Sequence, residues 1–185
     1  MHALDERLRG ALLPVGPWQP TALRRAAVLC PLLRRDGRDH LVFVARPDGQ
    51  RQHAGQIAFP GGMRDGEELP LATALRECEE EIGVPADAVS VLGELRPRES
   101  STGILVHCVV ARVSPVPLAP DPREVARVLV VPFDELADDA RWQELPPPGR
   151  ATGRQPRTSP HFRLGDDLLW GLTGRFVRDL LERVG

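Results

Sequence analysis

The chain has 185 residues, with 24 basic and 26 acidic side chains, a net charge of −2 and a 42% hydrophobic share, which suits one domain over residues 1–185 with a sizeable core. A charge so near neutrality gives no electrostatic footing for nucleic acid or a membrane surface, since both want a basic excess or a basic amphipathic face. Every basic residue is arginine, which excludes a Walker-loop lysine, a Schiff base and a pyridoxal anchor; phosphate must be met by arginine, backbone amides or metal.

The amino terminus, "MHALDERLRGALLPVG", is too charged and too briefly apolar for a signal peptide. No run approaches the ~18 apolar residues of a membrane span, so a cytoplasmic protein is expected. Leu4, Leu8 and Leu12 recur at helical spacing up to Pro14 and predict a short amphipathic helix. "RRAAVLCPLL" and "HLVFVAR", joined by "RRDGRD", read as a β-hairpin. Residues 64–67 form a turn before a helix over about Glu68–Ile82, which Gly83 and Pro85 end. Strand character returns in "VSVLGELRP", "GILVHCVVARV" and "REVARVLVVP", and "FDELAD" is a short helix. Residues 144–160, rich in Pro, Gly and Arg, read as a loop. Asp166 to Val184 reads as one closing helix capped by Asp166, with Leu168, Leu169, Leu172, Phe176 and Leu180 on its apolar face. Cys30, Cys78 and Cys108 lack paired spacing and read as core thiols. The order of elements predicts a mixed α/β sandwich, without strict βαβ alternation.

The helix over 68–82 carries an oddity, because Glu77, Glu79, Glu80 and Glu81 crowd it although like charges three and four apart cost about 0.2–0.5 kcal/mol per pair. At about 100° per residue, Leu71, Ala74, Leu75, Cys78 and Ile82 form the core stripe. Glu77, Glu80 and Glu81 fan out on the other side at about 240°, 180° and 280° from Leu71, while Glu79 stands apart at about 80°. Three hard oxygen donors on one rigid face make a site for Mg²⁺ or Mn²⁺; a plain solvated acidic face is the alternative.

The surrounding spacing favours the metal. Gly62, five residues, Glu68, seven residues, Arg76-Glu77, Cys78, any residue, Glu80-Glu81, any residue, Gly83 and Val84 resembles the Nudix box over 23 positions, with Cys78 where a larger aliphatic residue is usual. The resemblance implies the Nudix α/β/α sandwich, a mixed sheet with a loop-helix-loop motif, and metal-assisted hydrolysis of a diphosphate linked to another moiety. It implies that Glu77, Glu80 and Glu81 bind the divalent ion, with the Gly61 carbonyl as a further ligand. Arg76 then orients a helix carboxylate, Glu68 stands behind the ligands or joins them, and one carboxylate, Glu77 first, acts as general base. Glu124, in "DPREVARVLVVP", is either an extra carboxylate arriving from another loop or a surface acid at a strand start.

Upstream, Arg46, four residues, Arg51, three residues, Gly55, three residues and Phe59-Pro60-Gly61-Gly62 resembles the added signature of the coenzyme A pyrophosphatase branch. Val42-Phe43-Val44 and Pro47 depart from it, and "LLWGLTGRFVRDLL" resembles that branch's last helix. The likeness implies a coenzyme A-like nucleotide substrate, bound through Arg46, Arg51, His53, Gly55 and Phe59. Arg150, Arg154 and Arg157 of the 144–160 loop are further cations for its phosphates. ADP-ribose, NADH, dinucleoside polyphosphates and nucleoside triphosphates are the alternative substrates, and a nucleotide-sensing module without turnover is the alternative class. The family also raises a homodimer, for which no self-complementary apolar patch is legible.

Overall fold

The computed structural model describes residues 2–45, 47, 57–148 and 158–185. Helix α1 (Ala3–Ala11) precedes the strands β1 (Arg24–Arg35) and β2 (Arg38–Ala45), which the Asp36–Gly37 turn joins with both residues left-handed, as a two-residue hairpin requires. Short strands β3 (Ile57–Ala58) and β4 (Gly61–Met63) lead to helix α2 (Pro70–Ile82). Then follow β5 (Val89–Glu99), β6 (Ile104–Val113), β7 (Arg127–Pro132), the one-turn α3 (Phe133–Leu136), β8 (Gln143–Leu145), β9 (Ser159–Leu164), β10 (Asp167–Leu169) and α4 (Gly171–Val184).

Among the described residues seven strands form one mixed sheet with the path β3-β2-β1-β6-β5, β4 pairing with β1 and β7 with β2. Strand β1 runs parallel to β6 and antiparallel to β2 and β4. Strands β8, β9 and β10 form a second, smaller antiparallel sheet.

Strand alternation supplies two cores. On one face, Ala26, Cys30 and Leu32 of β1, Leu41, Phe43 and Ala45 of β2, and Val106, Cys108 and Val110 of β6 pack with Leu8 of α1 and Phe176, Val177, Leu180 and Leu181 of α4. On the other, Ala27, Leu29, Val42, Val44, Val109 and Ala111 pack with Ala74, Cys78 and Ile82 of α2. The result is the expected α/β/α sandwich, with α2 on one face of the sheet and α1 and α4 on the other. All three cysteines are buried and free. No helix among the described residues is long and apolar enough to cross a membrane.

The carboxy-terminal region corrects two expectations. Residues 166–184 are not one helix: the chain turns at Gly165–Asp166, pairs Leu168 with Arg163 and Leu169 with Phe162 in β10, and enters α4 only after Trp170, the N-cap, which makes no side-chain capping bond. Leu168 and Leu169 fit a helical stripe in sequence, but β9 offers them a strand partner. The expected loop over 144–160 accordingly begins inside β8 and ends inside β9.

Candidate active site

The box folds as strand, turn and helix. Pro70 opens α2 where a missing N–H costs nothing, and Gly83 closes it in the left-handed conformation (φ 70°), its N–H donating to the Glu79 carbonyl at 2.9 Å. Glu68 therefore lies just before the helix. Pairing of Ala27 with Gly62 and of Val28 with Gly61 sets β4 against β1, beside the acidic side of α2.

Two glycines let β4 sit close to its neighbours, Gly62 against α2 and Gly61 against β1. A Cβ on Gly62 would lie 2.3 Å from the Glu77 carboxyl carbon, and one on Gly61 would lie 2.5 Å from the Ala27 carbonyl oxygen. The Gly61 N–H donates to Glu81 Oε2 at 2.9 Å, and Glu81 is only 3% exposed. Gly62→Ala is expected to leave the fold intact while displacing Glu77 and lowering turnover at least tenfold, read by circular dichroism and kinetics together.

Arg76 is the hub. Its Nε and Nη2 donate to the two Glu68 oxygens at 2.8 and 3.1 Å, and its Nη1 donates to Glu77 Oε1 at 2.8 Å and Glu80 Oε2 at 2.9 Å. Nη2 also reaches the Met63 carbonyl at 3.2 Å. Glu68 accepts in addition from the Thr73 hydroxyl at 2.9 Å and the Asp65 N–H at 3.3 Å. Bonding to Arg76 above all draws the Glu68 carboxyl down to about 2, and bonding to Glu68 raises Arg76 further above its already high value. Burial pushes the Glu77 carboxyl up, Arg76 pulls it back, and the charges of Glu80 and Glu124 push it up again.

The downstream loop that carries Glu124 is held against the end of α2. That loop is tied to the end of α2 by Ala119 N–H to the Ile82 carbonyl at 2.9 Å and Asp121 N–H to the Glu81 carbonyl at 3.0 Å. Glu79, by contrast, is exposed and belongs to no ion pair among the described residues. Glu79→Ala is expected to retain wild-type kcat and KM within a factor of two, measured at saturating metal.

Among the described residues no group of three acidic, His or Cys side chains is gathered closely enough to share an ion as it stands. The fan read from the helical wheel is instead divided: Glu77 and Glu80 each lend one oxygen to Arg76, and Glu81 turns to the Gly61 backbone. Arg46, Arg51, His53 and Gly55, with Arg150, Arg154 and Arg157, lie outside the described residues. Phe59 is 2% exposed and stacks on Phe43 with centroids 4.9 Å apart, so its ring is committed to the core.

Trp18 escaped the sequence reading. Its indole N–H donates to the Glu68 carbonyl at 2.6 Å, and Arg64 Nε donates to the same oxygen at 3.2 Å. A single tryptophan fifty positions from its partner, in a Gly- and Pro-rich stretch, carries no local pattern that points to that bond.

The comparisons agree with this geometry. The NUDIX domain family model matches residues 23–150. The chain belongs to the Nudix family. Nudix hydrolase NudL of Photorhabdus laumondii, described as uncharacterized, is 38% identical over 163 residues, which cover 87% of this chain and 85% of that protein. A MutT/nudix family protein from Enterococcus faecalis superposes with a TM-score of 0.61 at 17% identity, over 91% of this chain and 64% of the other, a likeness of fold. The Nudix hydrolase RenU of M. smegmatis gives a TM-score of 0.54 at 25% identity, over 69% and 81% of the two chains. The protein is thus a Nudix hydrolase, acting on pyrophosphate bonds of nucleoside diphosphate derivatives, and Nudix hydrolases generally use divalent metal ions.

The residues present fit such an ion. Three carboxylates, Glu68, Glu77 and Glu80, share one guanidinium, and Glu81 rests on the Gly61 N–H of the neighbouring strand, an excess of negative charge made of hard oxygens. A carboxylate that gives one oxygen to an arginine keeps the other for a cation.

Proposed function

We propose that this Nudix hydrolase cleaves the diphosphate of coenzyme A or an acyl derivative, giving adenosine 3′,5′-bisphosphate and 4′-phosphopantetheine. What supports the substrate is the spacing Arg46, Arg51, Gly55, Phe59, because that segment runs directly into the Gly61–Gly62 strand against which Glu77 and Glu81 rest. Ala45 and Ile57, which flank residues 46–56 in the sequence, pair with each other in the sheet. Two arginines suit a ligand that carries a 3′-phosphate beside its diphosphate.

Glu77, Glu80 and Glu81, with the Gly61 carbonyl, hold Mg²⁺ or Mn²⁺, which when bound neutralises diphosphate charge and acidifies water. Glu68 has both oxygens engaged by Arg76, Thr73 and Asp65, so we assign it to positioning Arg76 and not to the metal. Glu77 takes the proton of the attacking water, and Glu124 supplies a further carboxylate from its loop. Water attacks one phosphorus, the bridging P–O bond breaks, and the bridging oxygen leaves on the other phosphate.

The test is a product-resolved panel of coenzyme A, acetyl-coenzyme A, NADH, ADP-ribose and nucleoside triphosphates with Mg²⁺ or Mn²⁺ and a chelator control. Metal-dependent release of the two named products, fastest from coenzyme A or its acetyl ester, is expected. Intact coenzyme A beside a cleaved dinucleotide, sugar nucleotide or triphosphate would overturn the substrate assignment.

A further inference from the structure

Beneath the box lies a buried polar pair that the reaction does not use. His107 of β6 is 1% exposed and Glu94 of β5 is 6% exposed, with His107 Nδ1 3.2 Å from Glu94 Oε2. A carboxylate only accepts, so Nδ1 carries the hydrogen, and the second ring nitrogen, Nε2, is buried with no hydrogen-bond partner among the described residues. Such a group is costly where Val109 and Ala111, on the same face of the same strand, show that an aliphatic side chain packs well.

Its placement explains its retention. His107 pairs across β1 with Ala27, and Ala27 pairs on its other side with Gly62, so His107, Ala27 and Gly62 form one row across the α2 face of the sheet. The His107 ring meets Trp18 edge to face, with centroids 5.0 Å apart. Leu13 and Glu94 exchange both backbone hydrogen bonds, at 3.0 and 2.8 Å, which ties the segment leading to Trp18 to the strand that carries Glu94. Trp18 in turn holds the Glu68 carbonyl, and Arg64 lies 6.0 Å over the indole.

We infer that His107, fixed by Glu94, is a positioning residue: it sets the angle of the Trp18 indole, whose N–H pins Glu68 at the entrance to α2, and so keeps Arg76 in register with Glu77 and Glu80. The chain of contacts is continuous from Glu94 through His107, Trp18, Glu68 and Arg76 to the two carboxylates. The consequence for metal affinity rests on the metal-binding reading given above; the consequence for Glu68 does not.

The experiment compares His107→Leu, Trp18→Phe, Glu94→Gln and the packing control Val109→Ala. Direct Mn²⁺ binding is measured by electron paramagnetic resonance, and amide exchange at Glu68 and Thr73 is measured in metal-free protein. Trp18→Phe keeps the ring and loses only the N–H, so it serves where His107→Leu fails to fold. Expected are about five- to tenfold weaker Mn²⁺ binding and faster exchange at both amides in His107→Leu and Trp18→Phe. kcat falls by a similar factor at fixed metal, while KM stays unchanged. Glu94→Gln, which keeps an acceptor for Nδ1, retains most of the wild-type behaviour, and Val109→Ala lowers the thermal midpoint alone. Trp18→Phe and His107→Leu proteins that match Val109→Ala in exchange and Mn²⁺ affinity would overturn the inference. If the wild type binds no Mn²⁺, the metal reading fails, and exchange at Glu68 and Thr73 still decides the positioning role.

Discussion

Glu77→Gln is expected to lower kcat by on the order of 10²–10³ while making the metal-free protein more heat-stable at neutral pH. The loss follows from removing a charged oxygen from the group assigned to hold the cation and the proton of the attacking water, a contribution of several kcal/mol to the barrier. The gain in stability follows from burial and the neighbouring charges of Glu80 and Glu124, which push the Glu77 carboxyl above its ordinary value of 4.5. A carboxyl raised by folding supports the native state fully only below its unfolded value, and that support drains away as the pH rises through the folded value. The thermal midpoint of Glu77→Gln in a chelating buffer should therefore pull ahead of the wild type above about pH 4.5 and stay ahead at neutrality. Equal midpoints across that range would show that Glu77 carries no electrostatic strain; undiminished kcat would remove it from the machinery.

Arg76→Gln is expected to cut kcat about 10- to 100-fold, the range found when a group that orients metal ligands is lost. It should also destabilise the metal-free fold by about 1–3 kcal/mol, since Glu68, Glu77 and Glu80 would share a partly buried space without their cation. The pH profile carries the signature. In the wild type Glu68 is held down at about 2, so its contribution is present above its ordinary 4.5 and disappears as the pH falls toward 2. Without Arg76 that drop should flatten, and the two proteins should differ least near pH 2. A variant with wild-type kcat and an unchanged acid limb would mean that the hydrogen bonds from Arg76 do not organise the site.

The two substitutions pull stability in opposite directions although both injure catalysis. Glu77 sits in an excess of negative charge, and Arg76 is what partly balances it. This is the trade expected of a site arranged for a cation and a polyanionic substrate and not for the stability of the bare chain.

Much of the molecule was legible in its residues. β1, β2 and β6 are continuous apolar runs and the Leu71–Ile82 stripe has a period of 3.6, so the strands, the helix and the helix's buried face could be read directly, while strands buried on both sides left the two cores undivided. The box could be read because its chemistry sits on one helix and the turn before it. Asp166 to Val184 misled because a short apolar run satisfies both periods, and only pairing with β9 separates strand from helix.

By itself the sequence determined the family, the carboxylates available and the separateness of Glu79. Tertiary structure alone decided that Arg76 is shared among three glutamates, that Glu81 bonds to Gly61, that the loop carrying Glu124 is tied to the end of α2, and that Trp18 holds Glu68 from fifty positions away. The physical reason is range. Backbone periodicity is set within a few residues, but which donor a carboxylate finds depends on strands and loops that approach from distant parts of the chain.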